Sequence, residues 1–214
     1  KFLWADSLQA VADDVAEKLL DNPGLSVPHS IQSAVHRHGV SLPFDDTHTM
    51  TWLCAYVIHT ASKKKRQRYI GACIDRGIEI VGERDEWQRV LGSDITVHPP
   101  VDYRTQLCGT YRKIGINLNI TSCQMKTAVN QRVFDIPLSG SFVLTDNQED
   151  TAELFEPEKE VVTYSSLDEL TRKIDYYRTQ PALRKEISAA ARERIYSLHT
   201  YEKRLTVLLD TLFS

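Results

Sequence analysis

Residues 114–146 read IGINLNITSCQMKTAVNQRVFDIPLSGSFVLTD. Ile114, Ile116, Leu118 and Ile120 alternate with Gly115, Asn117 and Asn119, the period of a half-buried strand. Phe142, Val143 and Leu144 form a short apolar run after the small-residue turn Ser139-Gly140-Ser141, and read as a second strand. Between the two lies a polar segment that runs into a helix carrying Arg132 and Asp135. A strand–loop–helix–strand unit builds a parallel sheet, with polar loops at the strand carboxyl ends where ligands bind.

Upstream of this unit the pattern repeats. Thr51–His59, TWLCAYVIH, is apolar and rich in β-formers. It reads as a first strand, with helix as the rival reading of so short a run. The basic stretch Lys63, Lys64, Lys65, Arg66 and Arg68 opens a helix that Gly77 ends. Ile78–Gly82 reads as a second strand, residues 86–91 as a helix, and Ile95–His98 as a third strand stopped by Pro99-Pro100. Residues 103–112 read as a helix leading into the central unit.

Downstream, a short helix over 150–155 precedes a last strand, Glu160–Tyr164. Ser166 and Glu169 form a capping box for the next helix, and Pro181 suits the first turn of another. Thr200 caps the last, with Tyr201, Leu205, Leu208, Leu209 and Leu212 at helical spacing and expected to face inward. At the other end, residues 3–21 and 28–38 show helical spacing. Residues 1–45 are therefore expected to form a helical extension, and 46–214 a single Rossmann-like domain.

About six strands alternating with helices argue an α/β fold with a doubly wound parallel sheet. The order 3-2-1-4-5-6 puts the switch point between strands one and four. A crevice there is bordered by the loop after His59 and the loop after Ile120. A flavodoxin-like order is the competing topology.

Composition narrows the function classes. An apolar share of 42% and a charged share of 26% are those of an ordinary globular chain. A net charge of −3 leaves no nucleic-acid footprint. No apolar run reaches the ~18–20 residues of a membrane span, and no signal-peptide pattern opens the chain. Its first residue is Lys1, which points to a fragment or a processed chain. Cys54, Cys73, Cys108 and Cys123 are widely spaced, as expected of free thiols in a reducing cytoplasm. Asn119-Ile120-Thr121 matches a glycosylation sequon, but it ends a buried strand and is read as chance.

Several residues are candidates for anion binding. Lys65 belongs to the basic run, where a phosphate would relieve cations at a helix start. Ser122, Lys126 and Asn130 offer donors near the central helix. Arg132 is a natural phosphate clamp, and Asp135, one turn on, can accept from a ribose diol. The alternative pairs Arg132 with Asp135 or Asp146 and makes it a structural tie. His98 to Val101 forms a rigid loop at the edge of strand three, suited to a nucleobase or merely a strand stop. Asp146–Asp150 reads as a helix start, and no metal site is expected. No Walker motif, no GxGxxG and no legible catalytic triad occur.

The run NQRVFDIPLSGSFVLTDNQEDTAELFEPEKEVVTYSSLDELTRKIDYY, followed by PALRKEISAAARERIYSLHTYEKRL, resembles the C-terminal domain of family 1-like glycosyltransferases of the spore-maturation type. The likeness is strong over about 105–208, moderate over 50–104 through IEIVGERDEW, and absent over 1–45. It implies a GT-B fold, in which this domain binds a nucleotide-diphosphate sugar and a missing N-terminal domain binds the acceptor, a glycan or a protein. It implies an enzyme, a cytoplasmic glycosyltransferase without a metal cofactor. Carried over, Asn130–Arg132 face the diphosphate, Asp135 takes the place of the second Glu of a Glu-x7-Glu motif that holds the ribose, and His98–Val101 border the base. The first Glu of that motif falls at Thr127, so the sugar contact it makes does not carry over. A degenerate GT-B module serving as a non-catalytic interaction domain is the alternative function.

Overall fold

The computed structural model describes residues 6–40 and 47–213. The start of the first expected helix, before residue 6, and the expected domain boundary at 45/46 lie outside the described residues. The chain divides into two compact units. One comprises residues 1–69 and 121–126, the other 70–120 and 127–214.

The first unit is helical. Helix α1 (Asp6–Asp21) buries Val11, Ala12, Val15, Ala16 and Leu19, one stripe at helical spacing. Helix α2 (Val27–Arg37), with Pro28 in its first turn, buries Val27, Ile31, Ala34 and Val35. Helix α3 (Thr47–Gly71) adds Leu53, Val57 and Ala61 to the same core.

Helix α3 overturns the expected first strand at Thr51–His59. Its fully buried residues recur every fourth position, the repeat of a helix face, where a strand repeats every second. The following Lys and Arg residues are good helix formers and prolong it. The loop expected after His59 is therefore helical backbone. The basic run, expected at a helix start, instead lies toward the C-terminal end of α3, where cations suit the helix dipole.

That run is engaged within the first unit. Lys64 bridges Asp13 and Glu17 at 3.0 and 2.9 Å, and Arg68 also pairs with Glu17. Lys65 Nζ donates to the Thr121 carbonyl at 3.2 Å. Ser62 Oγ accepts from the Cys123 amide at 3.0 Å and lies 3.0 Å from Ser122 Oγ. On α1, Asp14 meets Lys18 and Arg37.

These contacts predict a pH response. The Asp13 carboxyl is held below its ordinary range chiefly by a hydrogen bond from Gln9, with Lys64 adding to it. The Glu17 carboxyl is lowered chiefly by Lys64. A carboxyl lowered on folding stabilises the fold above its unfolded pKa, about 4, and that contribution fades as pH falls through the folded value. Thermal melts from pH 6 to pH 3 are expected to show a drop below about pH 4 that Lys64→Met makes shallower. An acid limb unchanged by that substitution would contradict the assignment. The groups are solvated, so the effect is small and shrinks further in salt.

The second unit is mixed α/β. Strands β1 (Glu79–Val81) and β2 (Thr96–His98) pair in parallel, with Ile80 opposite Val97. Strands β3 (Asn117–Asn119), β4 (Val143–Asp146) and β5 (Val162–Tyr164) form a second parallel sheet in the order β3-β4-β5. Among the described residues there are thus five strands in two small sheets, where about six in one sheet were expected. The difference is the segment 51–59, spent on α3. Neither the 3-2-1-4-5-6 order nor a flavodoxin-like order describes the two separate sheets.

Helices make the crossovers that parallel pairing requires. They are α4 (Arg84–Leu91), α6 (Arg132–Leu138) and α7 (Thr151–Leu154), while α5 (Leu107–Lys113) leads from one sheet to the other. The chain then continues through α8 (Leu167–Arg178), α9 (Pro181–Leu198) and α10 (Tyr201–Phe213). Strand β4 is buried along its whole length. Its Val143 joins Tyr111, Val133, Ile136, Phe155, Val161 and Ile195 in one core cluster. Gly140, at φ 83°, ends the turn before β4 in a conformation that costs other residues strain. Ser166 caps α8 as expected, its Oγ accepting from the Glu169 amide, while Glu169 Oε2 reaches one residue further back and accepts from the Ser165 amide.

Two further expectations are corrected. The central helix begins at Arg132, and residues 121–131 are irregular. Ser122 and Lys126 therefore do not sit at a helix start. Along α10, Leu205, Leu208, Leu209 and Leu212 are exposed, where they were expected to face inward. Helical spacing marks an apolar face but does not decide whether anything covers it.

Candidate functional site

The loops after β2, β3 and β4 all leave the carboxyl ends of parallel strands, the place where open α/β sheets bind ligands. Asn119, the last residue of β3, is the hub between two of them. It is 1% exposed. Its Nδ2 donates to Thr145 Oγ1 on β4 at 3.0 Å, and its Oδ1 accepts from Asn130 Nδ2 at 3.0 Å. Its carbonyl accepts from the Tyr164 hydroxyl of β5 at 2.8 Å. Asn130 Oδ1 in turn accepts from the Arg132 amide at 3.0 Å. A buried amide so satisfied is rigid, because each lost bond strands a polar group out of water. The chain of bonds sets the start of α6 from the end of β3. The Asp150 amide donates to the Thr127 carbonyl at 3.1 Å, which joins the loops after β3 and β4.

Arg132 stands on this support with an exposed side chain. Among the described residues it forms no ion pair with a carboxylate. Asp135 accepts instead from the Tyr103 hydroxyl at 2.8 Å, and Asp146 accepts from Gln148 Nε2 at 3.0 Å. The reading of Arg132 as a tie to Asp135 or Asp146 is thereby set aside. Its guanidinium neighbours the Tyr111 phenol.

Tyr103 lies in the loop after β2, and its hydroxyl also accepts from Gln131 Nε2 at 3.1 Å. The hydrogen bond to Asp135, with burial second, pushes the Tyr103 phenol up. Burial pushes the Tyr111 phenol up as well, against the opposing charge of Arg132. Both phenols are therefore protonated near neutrality and remain hydrogen-bond donors.

The expected contact residues fall into two groups. Asn130, Arg132 and Asp135 come together in the second unit around Asn119 and Tyr103. His98 and Val101 belong to the same unit. His98 ends β2 with Nε2 at 2.6 Å from Glu79 Oε2 on the neighbouring strand, and Val101 is half-buried in the following loop. Lys65, Ser122 and Lys126 belong to the first unit, where Lys65 and Ser122 make the contacts described above. The crevice wall expected from a loop after His59 does not exist, since that backbone is α3.

Sequence reasoning missed Tyr103, Asn119, Thr145 and Tyr164. One signal was available. Asn117 and Asn119 interrupt an apolar strand pattern, and buried polar groups demand partners. Both are buried, and Asn117 Nδ2 donates to the carbonyls of Tyr111 and Phe142, each at 3.2 Å. The burial of Asn119 also leaves its sequon match without an acceptor side chain for a glycan. Among the described residues no group of His, Cys, Asp or Glu is placed to hold a metal ion, and no helix is long and apolar enough to cross a membrane.

A family model described as glycosyl transferase-like covers residues 58–210, a span that includes every residue of the Tyr103–Asn119–Arg132 constellation. No curated protein and no solved structure matches the chain.

Proposed function

The chain belongs to the glycosyl transferase-like family, and on that premise we propose that its second unit binds the nucleotide-diphosphate part of a sugar donor for transfer of the sugar to an acceptor. The observation that carries the reading is Arg132. It is an exposed guanidinium without an ion pair among the described residues, set on a hydrogen-bond chain that runs through the half-buried Asn130 to the buried Asn119. A planar fork of donors on a rigid base suits paired phosphate oxygens. As the sugar leaves, negative charge grows on the departing diphosphate, and a preplaced cation stabilises it without reorganising.

Asp135 keeps its Oδ2 on Tyr103, which leaves Oδ1 for the ribose diol, and the loop from His98 to Val101 borders the base. In this reading the acceptor is held by a further domain, as the two-domain GT-B resemblance implies, and the setting is cytoplasmic. The spore-maturation type is part of the same proposal, supported by the strand-end pattern Leu144-Thr145-Asp146 and the closing His199-Thr200-Tyr201.

A thermal-shift screen with UDP, GDP and their sugar conjugates tests the proposal. One nucleotide series is expected to raise the melting temperature specifically. At a hundred times its Kd, a ligand adds about 2.7 kcal/mol. No response to any of them would remove the donor-binding reading. It would favour a non-catalytic interaction module, with which Thr127 in the acidic position of the family motif is compatible.

A further inference from the structure

Tyr103 combines two properties that seldom occur together. Its side chain is 57% exposed, yet it is held at both ends. At the tip, the hydroxyl donates to Asp135 and accepts from Gln131. At the base, Asp102 Oδ1 accepts from the amides of Arg104 and Thr105 at 3.1 and 2.8 Å and from Thr105 Oγ1 at 2.6 Å. The Asp102 amide donates to Gln106 Oε1 at 2.8 Å, and Pro99-Pro100 stiffens the approach. An exposed tyrosine ordinarily swings freely and loses that freedom when a ligand orders it. Here the ring is already placed, so a flat ligand meets little entropic cost.

The position narrows the ligand. The Tyr103–Asp135 bond joins the loop after β2 to the helix after β3, and Arg132, which has no carboxylate partner among the described residues, lies one turn before Asp135. We propose that the exposed Tyr103 ring, pinned by Asp135 and Gln131 beside Arg132, is the platform on which the base of a nucleoside diphosphate stacks. This rests on the donor-binding reading above and assigns within it a residue for the base. A ring face is tolerant of which base it carries, so Tyr103 contributes affinity and leaves the choice of base to the edges of the site.

Calorimetric titrations of UDP, GDP and inorganic pyrophosphate into the wild-type chain and into Tyr103→Ala, Tyr103→Phe and Arg132→Ala test the assignment. Tyr103→Ala is expected to weaken the better nucleotide about 5- to 150-fold and to leave pyrophosphate binding unchanged. Tyr103→Phe keeps the ring but loses the bonds to Asp135 and Gln131, and it is expected to lose clearly less than Tyr103→Ala, because stacking needs no hydroxyl and the pin lowers only the ordering cost. Arg132→Ala should weaken both nucleotide and pyrophosphate. If Tyr103→Ala binds nucleotide like wild type while Arg132→Ala does not, the platform is overturned and the donor site stands. If Tyr103→Phe loses as much as Tyr103→Ala, the residue acts as a tie to Asp135, and the platform is likewise overturned. If the wild-type chain binds neither nucleotide nor pyrophosphate, the donor-binding reading falls and the platform with it.

Discussion

Phe155→Ala is expected to lower the unfolding free energy of the second unit by about 3–5 kcal/mol. Phe155 follows α7 and is 1% exposed. Its ring centroid lies 5.4 Å from that of Phe134 on α6 and 5.5 Å from that of His199 after α9. The same core cluster holds Val143 of β4 and Ile195 of α9. Truncation removes the transfer free energy of the ring and leaves a cavity bounded by helices and a strand that cannot all move inward. Phe155→Leu refills much of that volume and should cost under about 1.5 kcal/mol. Urea titration reads the difference as a lower midpoint at unchanged slope. A loss below about 1 kcal/mol for the alanine variant would show that the site collapses, contrary to the packing seen. The change also bears on function, since Phe134 sits between Val133 and Asp135 on the helix that presents Arg132.

Arg132→Ala is expected to weaken nucleoside diphosphate binding by about 1.5–3 kcal/mol, the loss of a charged hydrogen bond, or about 10- to 150-fold in Kd. The side chain is exposed and makes no ion pair among the described residues, so stability should change by less than about 0.5 kcal/mol. This separation of affinity from stability distinguishes a ligand contact from a structural one. Arg132→Lys keeps the charge but not the planar fork and should recover only part of the affinity. Asn130→Ala should weaken binding through position, because the Arg132 amide loses its acceptor and Asn119 Oδ1 its donor. Calorimetry decides the matter: an unchanged nucleotide affinity in Arg132→Ala would end its assignment to the diphosphate.

Five parallel strands and most helices were legible in the sequence for local reasons. Ile78–Gly82, Ile95–His98 and the runs around Asn117, Val143 and Val162 are short apolar stretches bounded by Gly, Pro or polar turns. The capping residues Ser166 and Thr200 announce helix starts by hydrogen bonds within three residues. The segment 51–59 was misread because a short apolar run satisfies both periods. What settles it is the presence of a helical core for Leu53, Val57 and Ala61 to face, built from α1 and α2. The leucines of α10 show the converse, a helical stripe correctly read and no burial to go with it.

By itself the sequence determined the alternation of strands and helices in the second unit, the residue types able to meet a diphosphate, and the family pattern that runs through them. Asn130, Arg132 and Asp135 could be named because they share one short segment. Tertiary structure alone decided what those residues do with their side chains. It gave Asp135 to a tyrosine 32 positions away, tied Asn119 to Thr145 26 positions away, and left Arg132 without a carboxylate partner among the described residues. The physical reason is range. Secondary structure and capping depend on neighbours within a turn or two, whereas whether a charge is paired, a ring exposed or a helix face covered depends on groups that only folding brings within a few ångströms.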